Sequence, residues 1–335
     1  MSGEKKHGNL SVFVPHIGCP HRCTFCDQRT ISGAQKAPTP DDVEKLCREA
    51  IALDSERELE LAFFGGSFTA IDRDYMISLL DAAAKFAGKG ICGIRMSTRP
   101  DAVGEEMLTL LKSYPVTAIE LGAQSLCDRV LKKNRRGHTA DDVIQASARI
   151  KRFGFELGLQ MMIGLDGETE QDCYDTAMKI IECRPDTVRL YPTIAIDGTE
   201  LGMRVKKGEY QPLSLEEGVR RTTRVMELFG QYAPDIRIIR VGLHPSEELE
   251  KRMLGGPYHP AFRELCESRI MLDRLNKQLC GLPQGKYEVA VNPRDISRMS
   301  GQHKSNVKKL GDLGYGIRII PDQSCEPLYP QLKHL

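Results

Sequence analysis

Residues 10–26 read LSVFVPHIGCPHRCTFC, an apolar run followed at once by three closely spaced cysteines. The run Leu10–Ile17 has the β-branched and aromatic content of a buried strand. The cysteines after it, Cys19, Cys23 and Cys26, have the spacing Cys-x3-Cys-x2-Cys and share one short loop. A strand that carries reactive side chains at its carboxyl end is typical of α/β proteins, whose active sites lie at that end.

Strand-like and helix-like segments alternate through the chain as far as Val241. Five more apolar runs predict strands: Leu59–Phe64, Gly93–Ser97, Thr117–Leu121, Glu156–Ile163 and Thr187–Tyr191. Amphipathic stretches predict helices after them: Asp41–Leu53, Asp72–Phe86, Glu105–Lys112, Thr139–Phe153 and Thr169–Cys183. Such repeated units predict a parallel sheet, and the pattern fits an open doubly wound sheet as well as a full or partial barrel. A seventh run, Ile236–Val241, follows a further predicted helix, Leu215–Tyr232.

The bulk composition is that of a globular protein. The chain has 335 residues, of which 41% are hydrophobic and 28% are charged, and its formal net charge is +1. These values exclude a disordered chain, and the net charge indicates no acidic or basic partner. The sequence has no apolar run long enough for a membrane span, and its polar start lacks a secretory signal. We therefore expect a cytoplasmic protein with no membrane partner.

The eleven cysteines are expected to be buried residues, metal ligands or reactive thiols, because disulfides are rare in the cytoplasm. Eight of them are scattered, so the triplet predicts one metal centre. Three thiolates can hold three irons of a 4Fe–4S cluster and leave the fourth iron open, since such clusters normally take four cysteines. The alternative is a structural zinc ion that His16 or His21 would share with the triplet.

The triplet, with the aromatic Phe25 before its last cysteine, resembles the signature of the radical S-adenosylmethionine (SAM) superfamily. The resemblance implies that the open iron binds the amino and carboxylate groups of SAM. It also implies that an external donor supplies an electron, and that SAM is cleaved to methionine and a 5′-deoxyadenosyl radical that abstracts hydrogen. The implied fold class is α/β, a partial (β/α)6 barrel of parallel strands, here with a small C-terminal α/β extension.

The same resemblance implies that residues at the ends of the strands bind SAM. The segment Phe64–Phe68 is similar to the glycine-rich segment of the family. The implied SAM contacts are Phe25, Gly65, Gly66, Ser67, Ser97, Arg99, Glu120 and Gln124. For Phe25 the alternative is plain packing, and for Arg99 and Glu120 it is an ion pair that caps the barrel.

A narrower resemblance extends from Leu10 to about Val241. The strings Ser97–Asp101, Glu120–Ser125 and Arg136–His138 are similar to the radical SAM core of the catalytic subunit of Elongator, which modifies wobble uridines in tRNA. The residues after this core are too few for the acetyltransferase domain of that subunit, so we expect a shorter bacterial type without it. Because Arg135, Arg136 and His138 follow Lys132 and Lys133, we expect a solvated, charged helix end there rather than a phosphate contact.

The C-terminal part is predicted to be a separate unit. Residues 1–245 would form the radical SAM core and residues 246–335 an extension, in which prolines and glycines up to residue 260 predict a linker. A long helix follows, and then a strand–helix–loop–helix–strand unit that resembles a minimal KH-type RNA-binding module. The predicted RNA contacts are Gly301, Lys304, Lys308 and Lys309, in a basic patch that also includes Arg294 and Arg298. The alternative is a small unit that packs on the barrel edge.

The sequence therefore predicts a radical SAM enzyme that modifies RNA, with tRNA as the first candidate. Its partners would be SAM, the RNA and an external electron donor. Two alternatives remain open. A radical SAM enzyme for a small molecule or a protein would not need the basic C-terminal unit, and a non-enzymatic RNA-binding protein with structural zinc would not need the redox chemistry. Nothing in the sequence indicates an oligomeric state.

Overall fold

The computed structural model describes residues 7–14, 19, 23–27, 36–53 and 58–333 of the chain. Within these residues no helix is both long enough and apolar enough to cross a membrane. The histidines of the zinc alternative, His16 and His21, lie outside the described residues, as does the end of the first predicted strand.

Seven parallel strands form one sheet that curls into a half-barrel. The strands are β1 (His7–Val14), β2 (Glu58–Gly65), β3 (Ile91–Thr98), β4 (Val116–Gln124), β5 (Glu156–Ile163), β6 (Thr187–Pro192) and, after the short β7 (Ala195–Ile196), β8 (Arg237–Val241). Their order in the sheet is β1-β2-β3-β4-β5-β6-β8. Because this order never reverses, the sheet is a partial barrel and not a doubly wound sheet. The predicted fold class is thus confirmed, and the seventh apolar run is a strand.

Helices follow the strands of the barrel, and most of them cover its outer face. They are α1 (Pro40–Leu53), α2 (Arg73–Ala84), α3 (Glu105–Lys112), α4 (Asp128–Lys133), α5 (Ala140–Arg152), α6 (Glu170–Glu182), α7 (Glu200–Lys206) and α8 (Leu215–Tyr232). Thr139 and Thr169 form capping boxes at the starts of α5 and α6, and Ser214 accepts a hydrogen bond from the Glu217 amide at the start of α8. These side chains satisfy amide groups that the first helical turn leaves without partners.

The two faces of the strands differ in chemistry. Leu61 and Phe63 of β2 point into the apolar core between sheet and helices and are fully buried. Alternate residues point into the concave face, where Glu60, Arg95 and Glu120 are also buried. The apolar runs of the sequence do not indicate this charged interior, because the ion pairs that make burial of the charges tolerable join different strands.

The segment predicted to be a linker contains regular structure. Helix α9 (Glu247–Arg252) and strand β9 (Met253–Gly255) lie within it, and β9 pairs antiparallel with β7. Leu249 of α9 is fully buried against Ile194 and Ile196. The linker prediction is therefore wrong here, because these short elements depend on contacts with distant residues and not on a local periodic pattern.

One long helix, α10 (Phe262–Leu279), is shared by two apolar cores. Phe262 and Cys266 belong to the core of the barrel, whereas Leu275 and Leu279 belong to a second core. Around the second core lie β10 (Gly285–Val291), α11 (Ile296–Ser300), α12 (Ser305–Asp312), β11 (Tyr315–Pro321) and β12 (Gln331–Lys333). The strand–helix–loop–helix–strand order is as predicted. The structure also has a third strand, β12, which the sequence did not predict and which pairs antiparallel with β10. The division of the chain at residue 245 remains a prediction.

Candidate active site at the carboxyl ends of the strands

The cysteine loop follows β1 at the open end of the half-barrel and is held by backbone contacts. The Thr24 amide donates to the carbonyl oxygen of Asn134 (3.2 Å), and the Leu201 amide donates to the carbonyl oxygen of Thr24 (2.8 Å). The Thr24 hydroxyl also bonds the amide oxygen of the buried Asn134 side chain (3.0 Å). Residues that follow α4 and β7 therefore fix the position of the loop that carries Cys23 and Cys26.

The thiols of this loop lie beside two arginines. Cys23 is buried, and Arg136 Nη1 donates a hydrogen bond to its Sγ atom over 3.0 Å. The pKa of Cys19 is raised above its ordinary value, first because the thiol is buried and next because Cys23 is near, while the charges of Arg99 and Arg136 oppose part of this shift. Cationic neighbours stabilise thiolates, which are the form that binds metal. Thiols with cationic neighbours are the donor chemistry that a 4Fe–4S cluster requires, so the residue types of this loop fit the cluster implied by the sequence.

Arg136 is a buried cation of this site, with 7% of its surface exposed. Its Nη2 atom donates to the carbonyl oxygen of Gly122 (2.5 Å), while its buried Nε atom has no partner among the described residues. Arg135, its neighbour in sequence, is exposed and forms an ion pair with Glu200 (2.6 Å). The prediction of a solvated helix end is therefore right for Arg135 and wrong for Arg136.

His138 is buried as well, with 6% of its surface exposed. Its Nε2 atom lies 3.3 Å from the carbonyl oxygen of Ala123, so we assign the proton to Nε2. Burial, and next the charge of Arg136, lower the pKa of His138 to about 4. The ring is therefore neutral at pH 7, and its buried Nδ1 atom has no partner in the described part of the chain. Here too the prediction of a solvated helix end is wrong.

Gln124 completes a group of buried polar atoms at the end of β4. Its backbone φ is +65°, in the left-handed region, and its side-chain oxygen is buried without a described partner. A Cβ atom on Gly122 would lie 3.0 Å from the Gln124 side-chain amide and 3.3 Å from Arg136 Nη2. The two side chains thus meet above Gly122, where a polar ligand such as SAM would satisfy their open hydrogen-bonding atoms.

The glycine-rich segment ends β2 next to the cysteine loop. Gly65 has φ +112°, and a Cβ atom there would lie 3.1 Å from the carbonyl oxygen of Val14, so only glycine fits without strain. The Ser67 hydroxyl bonds Thr98 Oγ1 (2.9 Å) and accepts from the Arg99 amide (3.1 Å). These bonds occupy the Ser67 side chain, so a cofactor at Gly65, Gly66 and Ser67 would meet the backbone. Their contact with SAM stays a prediction.

Arg99 and Glu120 do not pair with each other. Arg99 binds Asp101 through two hydrogen bonds of 2.9 and 2.8 Å, and its charge reaches Cys19 and Cys23. Glu120 is 1% exposed and accepts two hydrogen bonds from Arg189, of 2.7 and 2.9 Å. The alternative of an Arg99–Glu120 ion pair is therefore wrong.

Glu120 has further partners on the concave face. Arg95 lies 3.2 Å from one carboxylate oxygen, and the Gln160 side-chain amide bridges the other oxygen and Ser97 Oγ at 3.2 Å each. Both Glu120 oxygens are thus engaged within the barrel. The assignments of Ser97, Arg99 and Glu120 to SAM remain predictions.

Phe25 packs in an apolar cluster between the cysteine loop and β5. It is buried together with Met162, Leu165 and Leu201. This packing agrees with the alternative reading of Phe25, and a contact with adenine stays a prediction. Among the described residues, which include Cys19, Cys23 and Cys26, no three histidine, cysteine or acidic side chains lie close enough together to hold a metal ion.

The four predicted RNA-binding residues surround a loop that joins α11 to α12. Gly301 has φ +76°, and a Cβ atom there would lie 2.4 Å from Ser305 Oγ and 2.9 Å from the Asn306 amide nitrogen. Lys304 also adopts a left-handed conformation, at φ +60°, and is exposed, as are Lys308 and Lys309. No acidic group within the described ranges forms an ion pair with these three lysines.

Arg298 does not belong to the exposed basic patch. It forms ion pairs with Glu267 (2.7 Å) and with the buried Asp295 (2.6 Å). Its charge is therefore used to join α11 to α10, contrary to the prediction. Arg294 is exposed, as expected.

Two models of known protein families match the barrel and the start of the C-terminal part. The model of the radical SAM superfamily matches residues 13–180, and the model of the radical SAM C-terminal domain matches residues 185–271. The first match includes the cysteine triplet, the glycine-rich segment and the buried group at the end of β4.

Two named relatives have similar sequences. A tRNA uridine(34) acetyltransferase of Methanocaldococcus infernus is 27% identical over 276 residues, which are 69% of this chain and 51% of that protein. Human Elongator complex protein 3 is 30% identical over 236 residues, which are 64% of this chain and 42% of that protein. The chain thus spans about half the length of these relatives.

Solved structures share the fold. The Methanocaldococcus infernus Elp3 with an N-terminal deletion superposes with a TM-score of 0.63 at 21% identity, over 82% of this chain and 64% of that one. Streptococcus suis SuiB bound to S-adenosylmethionine superposes with a TM-score of 0.52 at 15% identity, over 73% and 52% of the two chains. With a family model matching half of the chain, the protein belongs to the radical SAM superfamily, and its cofactors are a 4Fe–4S cluster and SAM.

Proposed function

We propose that this radical SAM enzyme modifies RNA and that tRNA is its substrate. The observation that carries the proposal is the exposed loop at Gly301 with Lys304, Lys308 and Lys309, three cations without acidic partners in the described chain. Lysines that neutralise phosphates supply most of the sequence-independent affinity for nucleic acids. The relatives named as tRNA uridine(34) acetyltransferases support the same substrate.

Different residues of the barrel would bind the cluster and SAM. Cys19, Cys23 and Cys26 would hold three irons, and the backbone at Gly65 together with Gln124 would bind SAM. When bound, the cluster and SAM supply reductive cleavage and a radical that abstracts hydrogen. The apolar cluster around Phe25 would keep water from the reacting atoms.

Two further parts of the proposal concern partners and place. The electron would come from an external donor, because one cluster needs a reductant before each cleavage. A tRNA substrate would place the enzyme in the cytoplasm. The unit after residue 245 would bring the RNA to the barrel, since α10 is rigidly shared by both cores.

The test compares two triple variants in RNA binding. In the first, Lys304, Lys308 and Lys309 become alanine. In the matched control the same change is made at three exposed lysines of the barrel: Lys45, Lys89 and Lys207. We expect the first variant to bind a fluorescein-labelled tRNA at least ~10-fold more weakly, with a smaller salt dependence, because up to three phosphate contacts are lost.

The outcomes separate the alternatives. Equal RNA affinity of wild type and the first variant would refute the RNA role of the loop. Failure of the wild-type chain to bind tRNA, together with SAM cleavage, would favour a small-molecule or protein substrate. RNA binding with stoichiometric zinc and no cluster would favour the non-enzymatic alternative.

A further inference from the structure

The concave face of the half-barrel carries a network of ion pairs between strands. Arg95 contacts Glu60, Glu120 (3.2 Å) and Glu156 (3.5 Å). Arg189 holds Glu120 through two hydrogen bonds. Each arginine of this network thus has a carboxylate partner, which offsets the cost of removing its charge from water.

Arg240 of β8 is an exception. It is the register partner of Arg189 in the parallel pair of β6 and β8, so the two arginines are neighbours across the strands. Its Nε atom donates to the carbonyl oxygen of Gly242 (2.9 Å). In the part of the chain that the structure describes, no carboxylate forms an ion pair with Arg240, and its two Nη atoms have no partner.

Within the described chain this arrangement leaves the charge of Arg240 without a carboxylate partner. Arg240 is half-buried, and its pKa is lowered first by burial and also by the charges of Arg189 and Arg263, while Tyr191 acts in the opposite direction. Arginine nevertheless remains charged at neutral pH. A partly desolvated cation beside other cations is unfavourable unless an anion joins it. The Nη atoms of Arg240 are therefore suited to a ligand that carries negative charge.

A cavity of about 360 Å³ lies against Arg240. Its walls are the end of β8, the start of α10 and Arg298 of the C-terminal unit. The volume is within the usual range of ligand pockets, about 300–1,000 Å³. The first turn of α10 adds the positive end of a helix dipole to this wall.

The other charged groups of the cavity are largely satisfied. Arg263 and Arg298 line it and both pair with Glu267, at 2.8 and 2.7 Å. Glu264 also lines it, is exposed, and forms no ion pair with any described residue. Among the described residues that line the cavity, Arg240 is thus the cation without an ion pair, and Glu264 is an acid that would repel an anion.

We propose that this cavity binds a phosphate group of the nucleotide substrate and that Arg240 is the cation that pairs with it. The planar guanidinium matches two phosphate oxygens at once, which favours phosphate over a single carbonyl acceptor. The cavity lies between the barrel and the unit that carries Lys304, so one polynucleotide chain would pass both. This inference rests on the proposed function for the source of the phosphate.

The test uses the full chain and two phosphate probes. A fluorescein-labelled anticodon stem-loop RNA reports RNA binding by anisotropy, and inorganic pyrophosphate reports the site itself by calorimetry. The variants are Arg240→Gln, Arg240→Lys, Glu264→Gln and the control Arg237→Gln. Arg237 is exposed in the same strand and is already paired with Glu156 (3.2 Å).

We expect substitutions of Arg240 and Glu264 to change the affinity for the probes in opposite directions. Arg240→Gln should weaken the binding of both probes about tenfold or more. It should also reduce by about one the slope of the logarithm of RNA affinity against the logarithm of salt concentration. Arg240→Lys should have an intermediate effect. Glu264→Gln should tighten binding about twofold, and Arg237→Gln should change it by less than about twofold. Circular dichroism checks that each variant is folded.

The two probes separate the possible failures. Unchanged affinity of Arg240→Gln for both probes overturns the inference while leaving RNA modification intact. Pyrophosphate binding that depends on Arg240, in a chain that binds no RNA, supports the phosphate site and counts against the proposed function. Loss of pyrophosphate binding alone in Arg240→Gln assigns the site to a small phosphate-bearing molecule. Failure of the wild-type chain to bind either probe overturns both proposals.

Discussion

At the scale of single residues, Arg136 links the cysteine loop to the strand ends. One Nη atom bonds Cys23 Sγ and the other bonds the Gly122 carbonyl oxygen, so the guanidinium has a fixed position. A cationic donor on a ligand sulfur stabilises the more negative state of a cluster, and hydrogen bonds to sulfur are one determinant of cluster potential. We therefore infer that Arg136 tunes the cluster as well as the thiol.

Replacement of Arg136 by glutamine should lower the midpoint potential of the reconstituted cluster. A charge-assisted hydrogen bond contributes a few kcal/mol. If part of this stabilisation of the reduced cluster is lost, the midpoint potential should fall by on the order of 50 mV. The measurement is a redox titration followed by EPR, on protein with verified iron and sulfide content. Arg135→Gln is the control, because Arg135 is exposed and paired with Glu200. Equal potentials in wild type and Arg136→Gln would contradict the tuning role.

At the scale of elements, the ends of strands and helices depend on residues with special backbone conformations. Strand β2 ends at Gly65, which lies in contact distance of the β1 backbone and turns the chain towards the mouth of the barrel. Gly230 of α8 is the opposite case, because it is exposed, helical and has open space around it. The same substitution at the two positions should therefore have opposite effects.

Gly65→Ala should destabilise the protein by roughly 1–3 kcal/mol, since alanine strains the positive φ and approaches the Val14 carbonyl. Gly230→Ala should stabilise it by roughly 0.5–1 kcal/mol, because alanine is the better helix former. Urea unfolding followed by circular dichroism gives both values. A neutral effect of Gly65→Ala would mean that the end of β2 can relax around the new methyl group.

At the scale of the whole molecule, the cysteine triplet is expected to form a single cluster. Anaerobic reconstitution should yield about four irons per chain, with 5′-deoxyadenosine released when dithionite and SAM are added. Cys23→Ala should lose both, whereas Cys280→Ala, at an exposed cysteine after α10, should keep both. One zinc per chain with no SAM cleavage would contradict the cofactor assignment.

Local sequence patterns were sufficient to predict the alternating strands and helices and to single out the cysteine triplet, whereas the choice of a partial barrel came from the resemblance to the radical SAM family. Strands and helices can be predicted from the regular spacing of their apolar residues, because that spacing depends only on residues a few positions apart in the chain. The triplet Cys19, Cys23 and Cys26 is likewise contained in one loop, so its spacing carries the chemistry. The capping residues Thr139 and Thr169 are local signals of the same kind.

Tertiary structure alone decided the partners of the charged residues. Arg136 and Cys23 are 113 positions apart in sequence, and Glu120 meets Arg189 over 69 positions. Curling of the sheet brings these side chains together and removes them from water. Charged residues that look solvent-exposed in the sequence therefore lie in a buried site. That Arg240 has no carboxylate partner among the described residues has the same origin, because it depends on which distant strands and helices lie beside β8. Burial and long-range pairing are properties of the folded chain, and no local pattern encodes them.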